Sequence, residues 1–262
     1  MLNSAKKLNK YKLNSSDGEI GKVKDFYFDD QHWMIRYLIA DTGGWLSSRK
    51  VLLSPHSIMS VDKVQELINI ELSMSQIENS PPLESDKPVS RQYQERLFNH
   101  FNYPIYWQGF QTIGMGLQAG TTIPATPHLE HLNDPVENEA KASEDWDPNL
   151  RSIDQVLGYH IQSTDDEIGH IEDFIIDDES WTIRYLVIDT KNWLPGKKVL
   201  VSPEWIKNIH WDESIVYIDL SSEAIQQSEE YREVEVLDRD YEIRLYEHYN
   251  RKRYWPDLSK DK

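Results

Sequence analysis

The chain has 262 residues, with 28 Lys and Arg against 45 Asp and Glu, a formal net charge of −17, nine Trp, 14 Tyr and no Cys. The lack of Cys excludes disulfides, thiolate metal sites and thiol nucleophiles. The acidic balance argues against direct nucleic-acid binding and against attraction to anionic lipid, both of which need a basic surface. No window reaches the ~18 apolar residues of a spanning helix, and MLNSAKKLNK lacks the apolar core of a secretory signal, so a soluble, cytoplasmic protein with no transmembrane segment is expected.

The dominant feature is a duplication. IGKVKDFYFDDQHWMIRYLIADTGGWLSSRKVLLSP, from Ile20, aligns without a gap on IGHIEDFIIDDESWTIRYLVIDTKNWLPGKKVLVSP, from Ile168, with about 20 of 36 positions identical at an offset of 148. The same offset pairs Tyr11 with Tyr159, Leu13 with Ile161, Ile70 with Ile218 and Ile77 with Ile225. Further on it pairs Tyr93, Arg96, Leu97, His100, Tyr106 and Trp107 with Tyr241, Arg244, Leu245, His248, Tyr254 and Trp255. The unit is about 100 residues, a whole domain rather than a solenoid turn.

Taken in chain order, the first unit reads as strands. Val23, Phe26 and Phe28 lie in a run ended by the turn-forming Asp29-Asp30, and 34–40 is rich in β-branched and aromatic residues. After Gly43-Gly44 comes KVLLSP, stopped by Pro55, then SIMSV and the alternating 67–72. Five or six short strands with tight turns predict a small barrel. A helix follows from the N-cap candidate Ser90, with Tyr93, Leu97 and Phe101 at i, i+4, i+8, and it ends in an aromatic pair. The linker at 108–155 is rich in Gly, Thr and Pro, then acidic; the second unit repeats the pattern. The expected organisation is a first barrel at 7–80, its helix and aromatic end at 81–107, the linker, a second barrel at 156–228, and a second helix and tail at 229–262.

The IGxVxDFxxD strand and turn, the xIRYLxxDT strand and the KVLxSP strand, each present twice, resemble the PRC-barrel family. Its small barrel is shared by the cytoplasmic domain of the photosynthetic reaction centre H subunit and the C-terminal domain of the ribosome maturation factor RimM. The resemblance implies a mainly β fold, two tandem barrels each followed by a short amphipathic helix, and covers about 70% of the chain by the span of the repeat. It implies no particular activity, because a fold hosts function without dictating it. The transmembrane anchor of the H subunit has no counterpart in these residues.

Candidate chemistry is sparse. Arg36, Asp41 and Trp45 recur as Arg184, Asp189 and Trp193, and such a loop suits protein contacts because Trp and Arg are frequent hot-spot residues. The structural alternative has the two Asp serving turns through Thr42 and Thr190 while the Trp closes a barrel end. Asp25, Asp29 and Asp30, echoed by Asp173, Asp177 and Asp178, lack the ligand spacing of a calcium loop, and hairpin turn chemistry accounts for them. His128 and His131 stand alone in the linker, and IGMGLQAG lacks the Lys-Ser/Thr of a phosphate loop.

A non-enzymatic interaction or scaffold module with protein partners and no cofactor or metal is therefore expected, its barrels packed as an internal pseudo-dimer. A small-ligand or metal site between the barrels is one alternative, and a role in photosynthesis or a membrane complex, by resemblance to the H subunit, is another. Charge divides unevenly: residues 1–107 carry 13 basic and 13 acidic side chains, 108–155 carry 2 and 8, and 156–262 carry 13 and 24. If one repeat meets an anionic surface or an acidic partner, it should be the first, and the second should face solvent or a basic protein.

Overall fold

The computed structural model describes residues 1–44, 46, 49–81, 89–103, 147–190, 196–233 and 237–256. Met1–Ser85 together with Pro148–Lys262 forms one compact unit, and Asp86–Asp147 forms a second.

The first repeat opens with an arm, β1 (Leu2–Ser4) and the single helical turn α1 (Ala5–Leu8). It continues with β2 (Lys12–Asn14), the long β3 (Glu19–Asp29), β4 (Met34–Asp41), β5 (Lys50–Leu53), a 3-10 turn at Pro55–Ser57, β6 (Ile58–Asp62), β7 (Leu67–Ile70) and α2 (Met74–Glu78). In the second unit α3 (Arg91–Phe101) begins where Ser90 Oγ accepts the Tyr93 amide at 3.1 Å and ends at Asn102, whose φ of 55° stops the helix. Within that unit Gln94 Nε2 donates to Asp147 Oδ2 at 2.9 Å.

The second repeat runs through β8 (Leu150–Ser152), α4 (Ile153–Val156), β9 (His160–Gln162), β10 (Glu167–Asp177), β11 (Thr182–Asp189), β12 (Lys198–Val201), a 3-10 turn at Pro203–Trp205, β13 (Ile206–His210), β14 (Ile215–Ile218), α5 (Ser222–Gln227) and α6 (Arg239–His248). Residues 150–155, given to the linker by composition, are thus a strand and most of a helical turn. LRSIDQV is the polar-looking counterpart of the opening LNSAKKL at the 148-residue offset, and its Leu, Ile and Val are the only apolar cue.

One hydrogen-bonded sheet runs through both repeats in the order β13-β14-β9-β10-β11-β4-β3-β2-β7-β6, with β5 on β4 and β12 on β11. The order is its own mirror image about the β11–β4 contact, where Met34 faces Thr182. There the Ile35 amide donates to the Trp181 carbonyl and the Ile183 amide to the Trp33 carbonyl, both at 2.7 Å. To present those carbonyls Trp33 and Trp181 adopt left-handed backbones, φ 55° and 54°, a strained choice for a bulky residue. Around the contact Phe28 stacks on Trp33 with ring centroids 5.2 Å apart and meets Phe174 of the other repeat at 6.0 Å. Phe26, Phe28, Phe174, Tyr37 and Tyr185 are fully buried, so the core is aromatic and continuous across the centre.

The arms are exchanged. β3 pairs with β4 along one edge; along the other, β2 covers its start and β8, from the second repeat, pairs Tyr27–Asp29. Reciprocally, β10 pairs with β9 at its start and with β1, from the first repeat, over Ile175–Asp177. Each long strand therefore leaves a stretch of backbone donors and acceptors that only the other repeat satisfies.

Candidate functional site

Two equivalent sockets hold the exchanged arms. Asp25 of β3 is buried; its Oδ2 accepts the Ser152 hydroxyl at 2.6 Å, and its Oδ1 accepts the amides of Phe26 at 2.7 Å and Asp154 at 3.2 Å. Asp173 of β10 accepts the Ser4 hydroxyl, the Lys6 amide at 3.1 Å and the Phe174 amide at 2.8 Å. Each serine is also the N-cap of its arm, accepting from Lys7 or Gln155. Burial pushes both carboxyls above their ordinary range against the pull of these hydrogen bonds, Asp25 to about 6 with help from the nearby Asp154 carboxylate. A second clasp lies beside each socket: Arg151 Nε donates to Asp30 at 2.9 Å, and at the equivalent place Asn3 Nδ2 donates to Asp178 at 2.8 Å. Arg151 also lies over the Trp211 ring, 4.2 Å from its centroid.

The acidic strand and turn therefore splits into two roles. Asp29 and Asp177 serve the turn: Asp29 Oδ1 accepts the Gln31 amide at 2.8 Å, and Asp177 Oδ1 accepts the Glu179 amide at 3.2 Å. Burial alone would raise the Asp29 carboxyl, but hydrogen bonds from Arg36 and His32 hold it below its ordinary range. Asp25, Asp30, Asp173 and Asp178 instead grip the arms. Among the described residues no group of three or more His, Asp and Glu could hold a metal ion.

Within each sequence triplet the Arg and the Asp stand toward opposite ends of one strand. Arg36 Nη2 donates to Asp29 Oδ2 at 2.8 Å, and Arg184 Nη2 to Asp177 Oδ2 at 3.3 Å, at the end of their strands remote from Asp41 and Asp189. Asp41 Oδ1 accepts the Gly43 amide at 3.0 Å. Thr42 and Thr190 close the loop mouths through hydroxyl bonds to the Arg49 and Lys197 carbonyls, at 2.7 and 2.9 Å, and Asp189 is buried. Trp45 and Trp193 lie outside the described residues, as do His128 and His131.

In the second repeat α6 lies on its own strands through a polar core the sequence did not disclose. The hydroxyls of Tyr185 and Tyr254 both donate to the buried Glu242 Oε1, at 2.7 and 2.8 Å, and Arg239 pairs with Oε2 at 2.8 Å. Burial raises Tyr254 to about 12, and the Glu242 carboxylate adds to it. Arg184 lies over Tyr254 at 4.2 Å, while Trp205 meets Tyr246 at 5.2 Å and Tyr249 at 5.0 Å. His248 Nε2 lies 2.7 Å from the Ala224 carbonyl, tying the helix end to α5.

These features define a duplicated small-β protein whose two repeats exchange arms. The PRC-barrel domain model matches residues 13–73 and 148–225, and the chain belongs to that family. The second match begins ahead of β8, so the arm falls inside the family unit there. A comparison with curated proteins gave no match. No helix among the described residues is long and apolar enough to cross a membrane.

Proposed function

We propose that the chain is a non-enzymatic interaction module: two PRC-type barrels, each coiled from its half of the sheet, held as an internal pseudo-dimer that presents two related faces to protein partners. The observation that carries this is the reciprocal exchange of arms, in which Ser152 enters the Asp25 socket and Ser4 the Asp173 socket. Such an exchange fixes the spacing of the two repeats, which suits a scaffold. It also spends the buried carboxylates on structure instead of leaving them for acid–base chemistry. The loops after Asp41 and Asp189, whose sequences carry Trp45 and Trp193, are the contact candidates, since Trp is a frequent hot-spot residue, and Arg36 and Arg184 at the far ends of the same strands offer a separate contact.

Solution scattering tests the scaffold: one fixed distance between repeats is expected, and two independently tumbling repeats would overturn it. Affinity capture from the native host tests the contact. A Trp45→Ala, Trp193→Ala variant with unchanged circular dichroism should lose the partner that the parent chain holds, and full retention would refute the loops as contacts.

A further inference from the structure

The positive charge of the first repeat is gathered on one outer face. Lys12 of β2 faces Lys22 of β3 across the ladder, and the Tyr11 carbonyl accepts the Val23 amide at 3.0 Å, which carries the pairing one step on toward Lys10 and Lys24. Across the same row Lys22 faces Asp41 of β4, and Asp41 faces Lys50 of β5. All five lysines are exposed. Lys12 pairs with Glu19 at 3.1 Å; among the described residues no carboxylate lies within 4.0 Å of the other four.

The second repeat holds a different set of residues at these positions. Its counterparts are Gly158, His160, His170, Glu172 and Lys198. There Glu172 Oε1 takes Lys198 at 2.8 Å and Lys6 at 3.3 Å. The first repeat replaces that Glu–Lys pair by Lys24 and Lys50, so an attraction becomes a repulsion. Cross-strand neighbours about 5 Å apart and i, i+2 neighbours about 7 Å apart put like charges close enough to cost stability. Solubility does not require them either, because a chain at −17 is already far from neutrality.

We propose that this face binds an extended acidic segment of a partner protein, whose Asp or Glu side chains meet the cross-strand row of Lys12, Lys22 and Lys50 and the flanking Lys10 and Lys24. A protein segment is favoured over a lipid surface or a nucleic-acid duplex because the patch is local. The same sheet continues into a repeat with 24 acidic and 13 basic side chains, and a broad anionic surface would be brought against it, whereas a single strand need follow only the lysines. The inference rests on the reading of the chain as an interaction module and names the chemistry of one partner.

Fluorescence anisotropy of a labelled peptide of alternating Glu and Ser, titrated with the full chain, tests it. Binding that weakens steeply with salt is expected, and loss of about tenfold or more in affinity in the Lys10→Gln, Lys12→Gln, Lys22→Gln, Lys24→Gln variant. That variant should melt within a few degrees of the parent, because the lost Lys12–Glu19 pair is exposed and the Lys12–Lys22 repulsion goes with it, which separates lost binding from lost fold. No binding, or equal binding by the variant, overturns the proposal; so does tighter binding to phosphatidylserine vesicles or to a DNA duplex than to the peptide. If the peptide fails while the tryptophan-dependent partner is still captured, the lysine face alone is refuted and the module reading stands.

Discussion

Replacing Asp25 by Asn should flatten one part of the dependence of stability on pH. Burial raises this carboxyl from 3.8 to about 6 in the folded chain, so between those values the folded state holds a proton that the unfolded state has released. Stability from this group is therefore full below 3.8 and is lost as pH rises through 6. At ~1.4 kcal/mol per pH unit, the gap amounts to about 3 kcal/mol. Asn reproduces the protonated form: its Oδ1 accepts the Phe26 and Asp154 amides, and its Nδ2 can donate to Ser152 Oγ in place of the 2.6 Å bond that now runs the other way. Asp29 and Asp177, held low by their partners, titrate oppositely, so the informative quantity is the difference between variant and parent. Urea unfolding from pH 4.5 to 8 should show the two chains converging at the acid end and the variant gaining up to about 3 kcal/mol at the other, a midpoint shift on the order of 1 M. Parallel curves, or a variant less stable at pH 8, would refute the assignment of a buried, high-titrating carboxyl to the arm socket.

Ser152→Ala removes both the donor to Asp25 and the cap of α4, and should cost about 1–3 kcal/mol with faster amide exchange in β8; unchanged exchange there would count against the socket as the arm's anchor. Glu242→Gln keeps an acceptor for the Tyr185 and Tyr254 hydroxyls but turns an amide toward Arg239, for an expected loss of about 1–3 kcal/mol in urea unfolding; an unmoved midpoint would show the cluster to be incidental. Gly169→Ala sets a Cβ 2.0 Å from the Asp189 carbonyl oxygen, a backbone contact that must open, and should cost about 3 kcal/mol or more by thermal melting; a variant melting with the parent would refute that approach.

Much of the fold was legible because the chain states it twice. The IG dipeptide at the head of β3 and β10 is a direct case: a Cβ at Gly21 or Gly169 would lie 2.0 Å from the Asp41 or Asp189 carbonyl oxygen, so only glycine fits, and the same pair of letters marks both sites. Local periodicity also announced α3 and α6. The sockets were not legible. A strand of three residues has no periodicity to detect, and LNSAKKL shares only Leu and Ser in place with LRSIDQV, so nothing local says that either segment crosses to the other repeat. Asp25 likewise reads as one acid among several, because burial, which sets its chemistry, comes from residues more than 100 positions away. Arg36 was linked to Asp41 by proximity in the chain, but along a strand the five-residue step puts them at opposite ends, and the partner is Asp29 across the hairpin.

The pattern of identity and divergence between repeats follows from the exchange. Several positions that meet the other repeat keep one residue in both copies, Asp25 and Asp173, Ser4 and Ser152, Trp33 and Trp181, while Asn3 and Arg151 make the equivalent clasp with different side chains. Outer positions have no such counterpart. Lys12 can become His160 and Lys22 can become His170 without disturbing the centre. A homodimer of one repeat would carry every outer residue twice, so a lysine face on one half would recur on the other. Joining the halves in one chain lets one repeat stay neutral while the other accumulates acid, so the net charge of −17 belongs to the linker and the second repeat.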